Sequence, residues 1–294
     1  MFENSEKYAA LVDETLLSLV KKGREEYKEL LDSMAYSVSA GGKRIRPMLT
    51  MAFCSLCSES PEKALYPACA VEFIHTYSLI HDDLPCMDND DMRRGKPSNH
   101  IVFGEDTALL AGDALQSLAF EALTCEENIR NIGYEAAAKC VQTLSVLSGA
   151  KGMVGGQVVD LALEKCEGNV EIVTFMHSLK TAALIKSACV MGCICGGANE
   201  VQIKAAEEYA ECIGLQFQIV DDILDVTSTT DVLGKPVNSD VENNKSNMVS
   251  LLGIEKCRAL AKELTDKAIE ALKAFEGETK ALEDFTLKLL NRNK

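Results

Sequence analysis

Along most of this chain apolar residues return every three or four positions, and alternating β-branched runs bounded by turns are scarce. That period belongs to helices packed by one face. Alanine, leucine, glutamate and lysine fill these stretches and favour helix in their own right. None of the six prolines falls between Ser98 and Lys235, so long helices are permitted there. The pattern predicts helices over 3–34, 44–58, 62–83, 105–125, 131–149, 169–195, 200–227 and 247–290, the last broken near Gly277. Turn chemistry separates them at Ser39-Ala40-Gly41-Gly42, Ser58-Glu59-Ser60-Pro61, Gly95-Lys96-Pro97, Glu167-Gly168-Asn169 and Gly234-Lys235-Pro236. No connection is long enough to separate domains, so the expectation is one all-α domain over residues 1–294.

Two places break the pattern in the same way: an apolar helical approach ends in aspartates. The stretch Ile80 to Gly95 carries five aspartates and two arginines, and the run Ile213 to Val220 leads into Asp221, Asp222 and Asp225. Carboxylates crowded together repel and raise one another's pKa, and a divalent cation resolves the conflict. Three- and four-residue spacings gather Asp221, Asp222 and Asp225 on one helical face. In the first cluster Pro85 removes a backbone donor and frees the His81 carbonyl, so the chain is expected to bend and return Asp88 towards Asp82. A calcium loop fails at its third ligand and its glycine, and the paired Glu-x-x-His of a di-iron bundle is absent. Magnesium fits, since it takes one or two carboxylates per site and completes its shell with water and phosphate.

Composition narrows the partners. With 294 residues, 47% of them apolar, the chain has ample material for a large core. A net charge of −15 argues against nucleic acid as a bulk partner, so any phosphate must be held locally. Twelve cysteines, an acidic start at Met1-Phe2-Glu3-Asn4-Ser5-Glu6 without a signal-peptide pattern, and a single Cys54-x-x-Cys57 pair lead to the expectation of a cytoplasmic protein whose cysteines are small buried apolar residues. No uncharged stretch has the length of a membrane span. Local cations are present: Gly41-Gly42-Lys43-Arg44-Ile45-Arg46-Pro47 sets three at a glycine pair opening a helix, and Arg93 and Arg94 follow the first aspartate cluster. The Walker pattern is missing from the glycine turn.

Taken in order, GGKRIRP, VEFIHTYSLIHDDLPCMDNDDMRRGKPSNHIVFGE, LLAGDALQSLAFE, GGQVVDLALE, Lys180-Thr181, GLQFQIVDDILD and Leu233-Gly234-Lys235 closely resemble the trans-isoprenyl diphosphate synthases over nearly the whole chain, in particular the bacterial short-chain enzymes that make farnesyl diphosphate. The resemblance implies a large helical bundle of the isoprenoid-synthase type around a deep central cavity, usually homodimeric. It implies that Asp82, Asp83 and Asp88 bind magnesium on an allylic diphosphate (dimethylallyl, then geranyl) and that Asp221, with Asp222 and Asp225, binds a further ion, three in all, with manganese an alternative. Arg93, Lys180 and Lys235 would hold the same diphosphate, and Lys43, Arg46, His75 and Arg94 would hold isopentenyl diphosphate. Lys180, Thr181 and Gln218 would turn oxygens towards the allylic cation, and the departing diphosphate would take the product's proton.

The chain departs from the family pattern at Ala182, Asn238 and Lys245-Ser246-Asn247-Met248, which bears on the flap over the allylic site, and Arg292-x-Lys294 resembles a basic tail that closes on isopentenyl diphosphate. A terpene cyclase would not need Lys43, Arg46 and Arg94, and a non-catalytic partner subunit would be expected to lose one aspartate cluster. Product length is read from the helix before the first cluster. Tyr77 and Ser78 lie five and four residues before Asp82, about 6–7.5 Å back along the axis. An elongating tail must pass them, with Phe73 a turn deeper. An aromatic at Tyr77 in a chain whose first cluster carries the extra Pro85-Cys86 pair resembles the farnesyl synthases of the family, and that resemblance implies a fifteen-carbon product; the alternative is a twenty-carbon, geranylgeranyl product.

Overall fold

A computed structural model describes residues 5–166, 168–227 and 247–292. Among these the architecture is helical except for a two-residue antiparallel ladder, β1 (Met92–Arg93) with β2 (Lys96–Pro97), in which Met92 faces Pro97 and Arg93 faces Lys96. The helices are α1 (Ser5–Val20), α2 (Lys28–Val38), α3 (Ile45–Ser55), α4 (Leu65–Asp82), α5 (Asn99–Phe103), α6 (Glu105–Thr124), α7 (Glu126–Ser148) and α8 (Met153–Leu163). After them come α9 (Val170–His177), α10 (Ala183–Gly196), α11 (Glu200–Thr227), α12 (Met248–Leu252), α13 (Ile254–Ala271) and α14 (Lys280–Leu290).

The bundle forms around α4 and α10, whose sequences are apolar nearly all round and which are accordingly buried on most faces. α4 packs on α3 and α6, and α10 packs on α3, α7 and α11. Phe53 on α3 meets Tyr209 of α11 and Phe275 edge-on, with ring centroids 5.2 and 5.6 Å apart, a favourable quadrupole arrangement. The Tyr209 hydroxyl reaches Thr286 Oγ1 on α14 at 2.9 Å, which satisfies the one polar atom of a fully buried ring.

Several expected boundaries are corrected. The first predicted helix is two, broken over residues 21–24, where the lone Gly23 packs directly under Tyr27 and Leu31. α8 was not expected: no helix was placed between 149 and 169. The last predicted helix has the expected break, at 272–279 around Gly277, and a further unexpected one at Gly253, whose φ of 82° suits glycine. The predicted start of α7 near 131 marks a real kink: Gly133 has φ 81° inside an otherwise helical run. The helical run Val170–Gly196, 27 residues, is long and apolar enough to cross a membrane, but two thirds of its most apolar stretch is buried in the bundle. All twelve cysteines are free, and eight are buried; Cys86 and Cys166 are exposed, against the expectation for them.

Candidate active site

α4 carries the first aspartate cluster to its end. Asp82 is its last residue and Asp83 its cap. The chain then turns back as Pro85 suggested: the Asp88 N–H donates to the Asp82 carbonyl at 2.9 Å, with Asn89 at φ 54°. The His81 carbonyl is not left free, because the Leu84 N–H takes it at 3.2 Å. The following ladder and α5 are tied down from α2. Tyr36 donates to the Pro97 carbonyl at 2.8 Å, and the buried Asn99 amide donates to Ser33 O at 2.9 Å and Ser37 Oγ at 2.8 Å.

Those ties hold Arg93 and Arg94 beside the cluster. Arg93 donates through Nε to Asp83 Oδ1 at 2.9 Å and through Nη2 to Asp90 Oδ2 at 3.1 Å, while Asp83 is only 2% exposed. Burial works against the Arg93 charge, but the Asp83 carboxylate outweighs it and raises the pKa. Burial also pushes the Asp82 carboxyl up to about 6; Lys180 draws it down and Asp88 adds to the rise.

A cluster of cations with too little negative charge lies next to this. Arg94 has a left-handed backbone, φ 53°, and sends Nη1 to the Gly41 carbonyl and Nη2 to within 3.4 Å of His75 Nε2. Arg46 has its Nε buried without a hydrogen-bond partner. Desolvation lowers the pKa of Arg46 and Arg94, and it drives His75 well below the ordinary imidazole value, with Arg46 and Arg94 adding to that fall. An anion is the missing partner. Of the three cations read in the glycine turn, Arg44 proves structural. It is 7% exposed and donates to Asp13 at 2.8 Å, to Glu72 at 2.7 Å and to the Val38 carbonyl at 2.6 Å. Lys43 stays exposed.

The two halves of the site face a cavity of about 530 Å³. Its polar wall includes Arg46, His75, Asp82, Lys180 and Thr181, and its apolar wall includes Tyr77, Leu84, Leu109, Val158 and Leu161; Ser78 and Gln157 also border it. Tyr77 is 5% exposed, and its hydroxyl faces the Gln116 side chain. Phe73 is wholly buried in the core and is not among the lining residues.

Lys180 and Thr181 sit in a widened π-helical turn, Ser178–Ala182, between α9 and α10. Two glycines seat that turn. A Cβ on Gly156 of α8 would lie 2.3 Å from the Lys180 backbone nitrogen, and one on Gly214 of α11 would lie 2.4 Å from Ala182 Cβ. Only a residue without a side chain permits either approach. Lys180 Nζ is 2.5 Å from Asp160 Oδ2. The sequence reading quoted the stretch GGQVVDLALE that contains Asp160 but gave the residue no role; its signal was the position four residues after Gly156, on the same helical face.

α11 carries the second cluster. Gln218 Nε2 reaches Asp221 Oδ2 at 3.4 Å. Asp222, 7% exposed, accepts the Met248 N–H at 2.8 Å, so it also anchors the start of α12, where Asn247 and Ser250 form a capping box. Asp225 is 3% exposed. Arg292 stacks on Phe217, its guanidinium carbon 3.9 Å from the ring centroid, and donates to Asp221 Oδ1 at 2.6 Å. Lys235, Asn238, Lys245, Ser246 and Lys294 lie outside the described residues.

Among the described residues no three carboxylate, imidazole or thiol groups converge into a ready-made metal centre. The donors on offer are carboxylate oxygens: the buried Asp83, Asp222 and Asp225, and the partly buried Asp82 whose charge is opposed by burial and by Asp88. That donor chemistry fits a hard divalent cation that keeps waters and takes substrate oxygens.

A helical bundle whose cavity has the Asp82 carboxylate and several cations on one wall and apolar residues on the other suits a molecule with a charged head and a hydrocarbon tail. The chain belongs to the polyprenyl synthetase family, whose model matches residues 27–285. It is 46% identical over 284 residues to a putative chloroplastic geranylgeranyl pyrophosphate synthase of Arabidopsis thaliana, covering 96% of this chain and 77% of that protein. Among solved structures, an FPP/GFPP synthase of Zymomonas mobilis shares 38% identity with a TM-score of 0.86, over 97% of this chain and 96% of that one. A Helicobacter pylori geranyltransferase complexed with magnesium and isoprenyl diphosphate shares 33% identity with a TM-score of 0.79, over 99% and 97%. Further curated relatives, from Catharanthus roseus and Cyanophora paradoxa, are also named geranylgeranyl synthases.

Proposed function

We propose that this prenyltransferase condenses isopentenyl diphosphate head-to-tail with an allylic diphosphate, releasing diphosphate. The observation that carries the reading is the pairing of an acidic rim with a separate, under-neutralised cationic cluster at one cavity. Asp82, Asp83 and Asp88, with Asp221, Asp222 and Asp225, would hold magnesium, which when bound supplies positive charge to the leaving diphosphate. Lys180 and Arg93 add cations on that side, and Lys235 is assigned there by family resemblance alone. Arg46, Arg94, His75 and Lys43 hold the second diphosphate, and the neutral His75 donates or accepts a hydrogen bond without adding to the local charge. The apolar wall keeps water from the allylic cation, while oxygens at Lys180, Thr181 and Gln218 face it.

The names of the relatives support a twenty-carbon product. One observation favours fifteen: the bulky Tyr77 stands on the cavity wall about 7.5 Å along α4 from Asp82. Chromatography of products from radiolabelled isopentenyl diphosphate with dimethylallyl and with geranyl diphosphate decides between them. A twenty-carbon main product removes Tyr77 as the floor. A fifteen-carbon product that lengthens in Tyr77→Ala establishes it. Absence of any elongation at saturating magnesium would overturn the proposed reaction and favour a non-catalytic subunit.

We also assign a homodimer, because Leu109 at 46% and Val158 at 64% exposure leave some of the cavity's apolar wall uncovered in a single chain. Sedimentation measures that directly. A reducing compartment such as the cytoplasm is consistent with twelve free thiols, one domain spans the chain, and nucleic acid is no partner.

A further inference from the structure

Lys180 has four methylene groups and three rotatable donors, and a free lysine of this kind spreads over many rotamers whose entropy is lost when it is ordered. In this protein it is not free. Its Nζ lies 2.5 Å from Asp160 Oδ2, with the two side chains 27% and 15% exposed. The partner is delivered by the helix that also seats the lysine backbone. Gly156 lets the α8 backbone come into contact with Lys180 N and Cα, and Asp160, four residues on, rises on the same face to meet the ammonium. From the other side Gly214 presses α11 against Ala182. Backbone and side chain of Lys180 are therefore fixed by one element.

The pairing does not withdraw Lys180 from the cavity. Lys180 is on the cavity lining and its charge reaches the Asp82 carboxyl, whereas Asp160 is not a lining residue. Asp160 thus meets the ammonium from behind. Near the pair lies His177, a buried imidazole that also interacts with the Gln218 side chain. It offers the ammonium no competing acceptor of like strength, which leaves the carboxylate as the group that sets its direction.

We propose that Asp160 is a positioning residue for the prenyl transfer: it orders the Lys180 ammonium towards the allylic diphosphate and acts on the substrate only through that lysine. The inference rests on the function proposed above. It assigns a role to a carboxylate that belongs to neither aspartate cluster, and it makes the effect of Asp160 conditional on Lys180.

A double-mutant cycle tests this. Wild type, Asp160→Asn, Lys180→Gln and the double variant are titrated with inorganic diphosphate in magnesium by calorimetry, and assayed for kcat and KM with geranyl diphosphate. Their melting temperatures are compared, and Asp160→Glu is made as the conservative variant. Asp160→Asn is expected to weaken diphosphate binding and lower kcat/KM by about 10- to 100-fold in the wild-type background, since a displacement near 1 Å is worth that much. It is expected to change neither when Lys180 is already glutamine, and Asp160→Glu is expected to recover some of the loss. Equal losses in both backgrounds would overturn the inference, and would mean that Asp160 contacts metal or substrate by itself. A loss that follows only the melting temperature would overturn it in favour of a structural pair. Should the wild type show no transferase activity, the proposed reaction fails, and the calorimetric cycle with diphosphate still decides the role of Asp160.

Discussion

Arg44 and Arg46 stand two residues apart in one basic turn, and the structure gives them opposite work. Arg44 adopts φ 47° and satisfies Asp13, Glu72 and a carbonyl in the interior; Arg46 keeps Nε unpartnered near Arg94 and His75. Removing one member of a buried ion pair strands the other, so Arg44→Met is expected to cost about 3–5 kcal/mol in urea denaturation. Arg46→Gln removes a charge that burial already opposes and leaves Glu72 still paired with Arg44, so it is expected to leave stability within about 1 kcal/mol while raising the KM for isopentenyl diphosphate far more than for the allylic substrate. Equal rises in both constants would reassign the cluster. Sequence could not separate the two arginines, because the separation depends on Asp13 and Glu72, which arrive from α1 and α4. Arg292 makes the same point at the other end of the chain. The sequence reading sent it to isopentenyl diphosphate, whereas its guanidinium lies on Asp221, where a cation is wanted. Arg292→Ala is therefore expected to tighten binding of manganese with inorganic diphosphate several-fold by calorimetry, since a competitor for the carboxylate is gone. Unchanged or weaker binding would show that the arginine assists the site.

At the scale of elements, the chain was most legible where a single face is buried. The approach helices α4 and α11 were expected at 62–83 and 200–227 and stand at Leu65–Asp82 and Glu200–Thr227, because their apolar periodicity runs straight into the aspartates. It was least legible where a glycine serves contact rather than turning. α8, which carries Gly155 and Gly156, fell in a stretch given no helix, and the widened turn at Ser178–Ala182 leaves no mark in composition. Both lapses concern the same junction, which is also where the site is most tightly built. Gly156→Ala places a methyl 2.3 Å from the Lys180 nitrogen, and backbone rather than a flexible side chain must yield. It is expected to cost about 1–3 kcal/mol in thermal unfolding and to lower kcat beyond what that loss explains, because the turn carrying Lys180 and Thr181 shifts with it. An alanine variant with full turnover would mean that α8 only covers the site.

For the whole molecule, two buried titrations run against each other over one pH range. His177 has its folded pKa lowered from 6.5 to about 4, chiefly by burial, with Asp160 opposing and Lys180 adding. Between those values the unfolded chain holds a proton that the folded chain lacks, so stability rises with pH and is lost as pH falls from about 6.5 to about 4. Asp82 moves the other way: burial raises it from 3.8 to about 6. There the folded chain holds the extra proton, so stability falls as pH rises through that window, and the whole cost is present above about pH 6. At about 1.36 kcal/mol for each tenfold change in proton affinity, each slope amounts to about 3 kcal/mol. The two therefore largely offset each other, and the free energy of unfolding from these groups is expected to stay nearly level from pH 4 to 6.5. Replacing His177 by Phe removes the rising slope alone, so the variant should become less stable as pH climbs from 4 to 6. Magnesium with diphosphate should reverse that loss above pH 6, because it supplies the charge that Asp82 lacks. Denaturation midpoints taken across this range, with and without magnesium diphosphate, measure both slopes. A His177→Phe variant whose stability still rises with pH in the absence of ligand would show that other buried groups dominate the window.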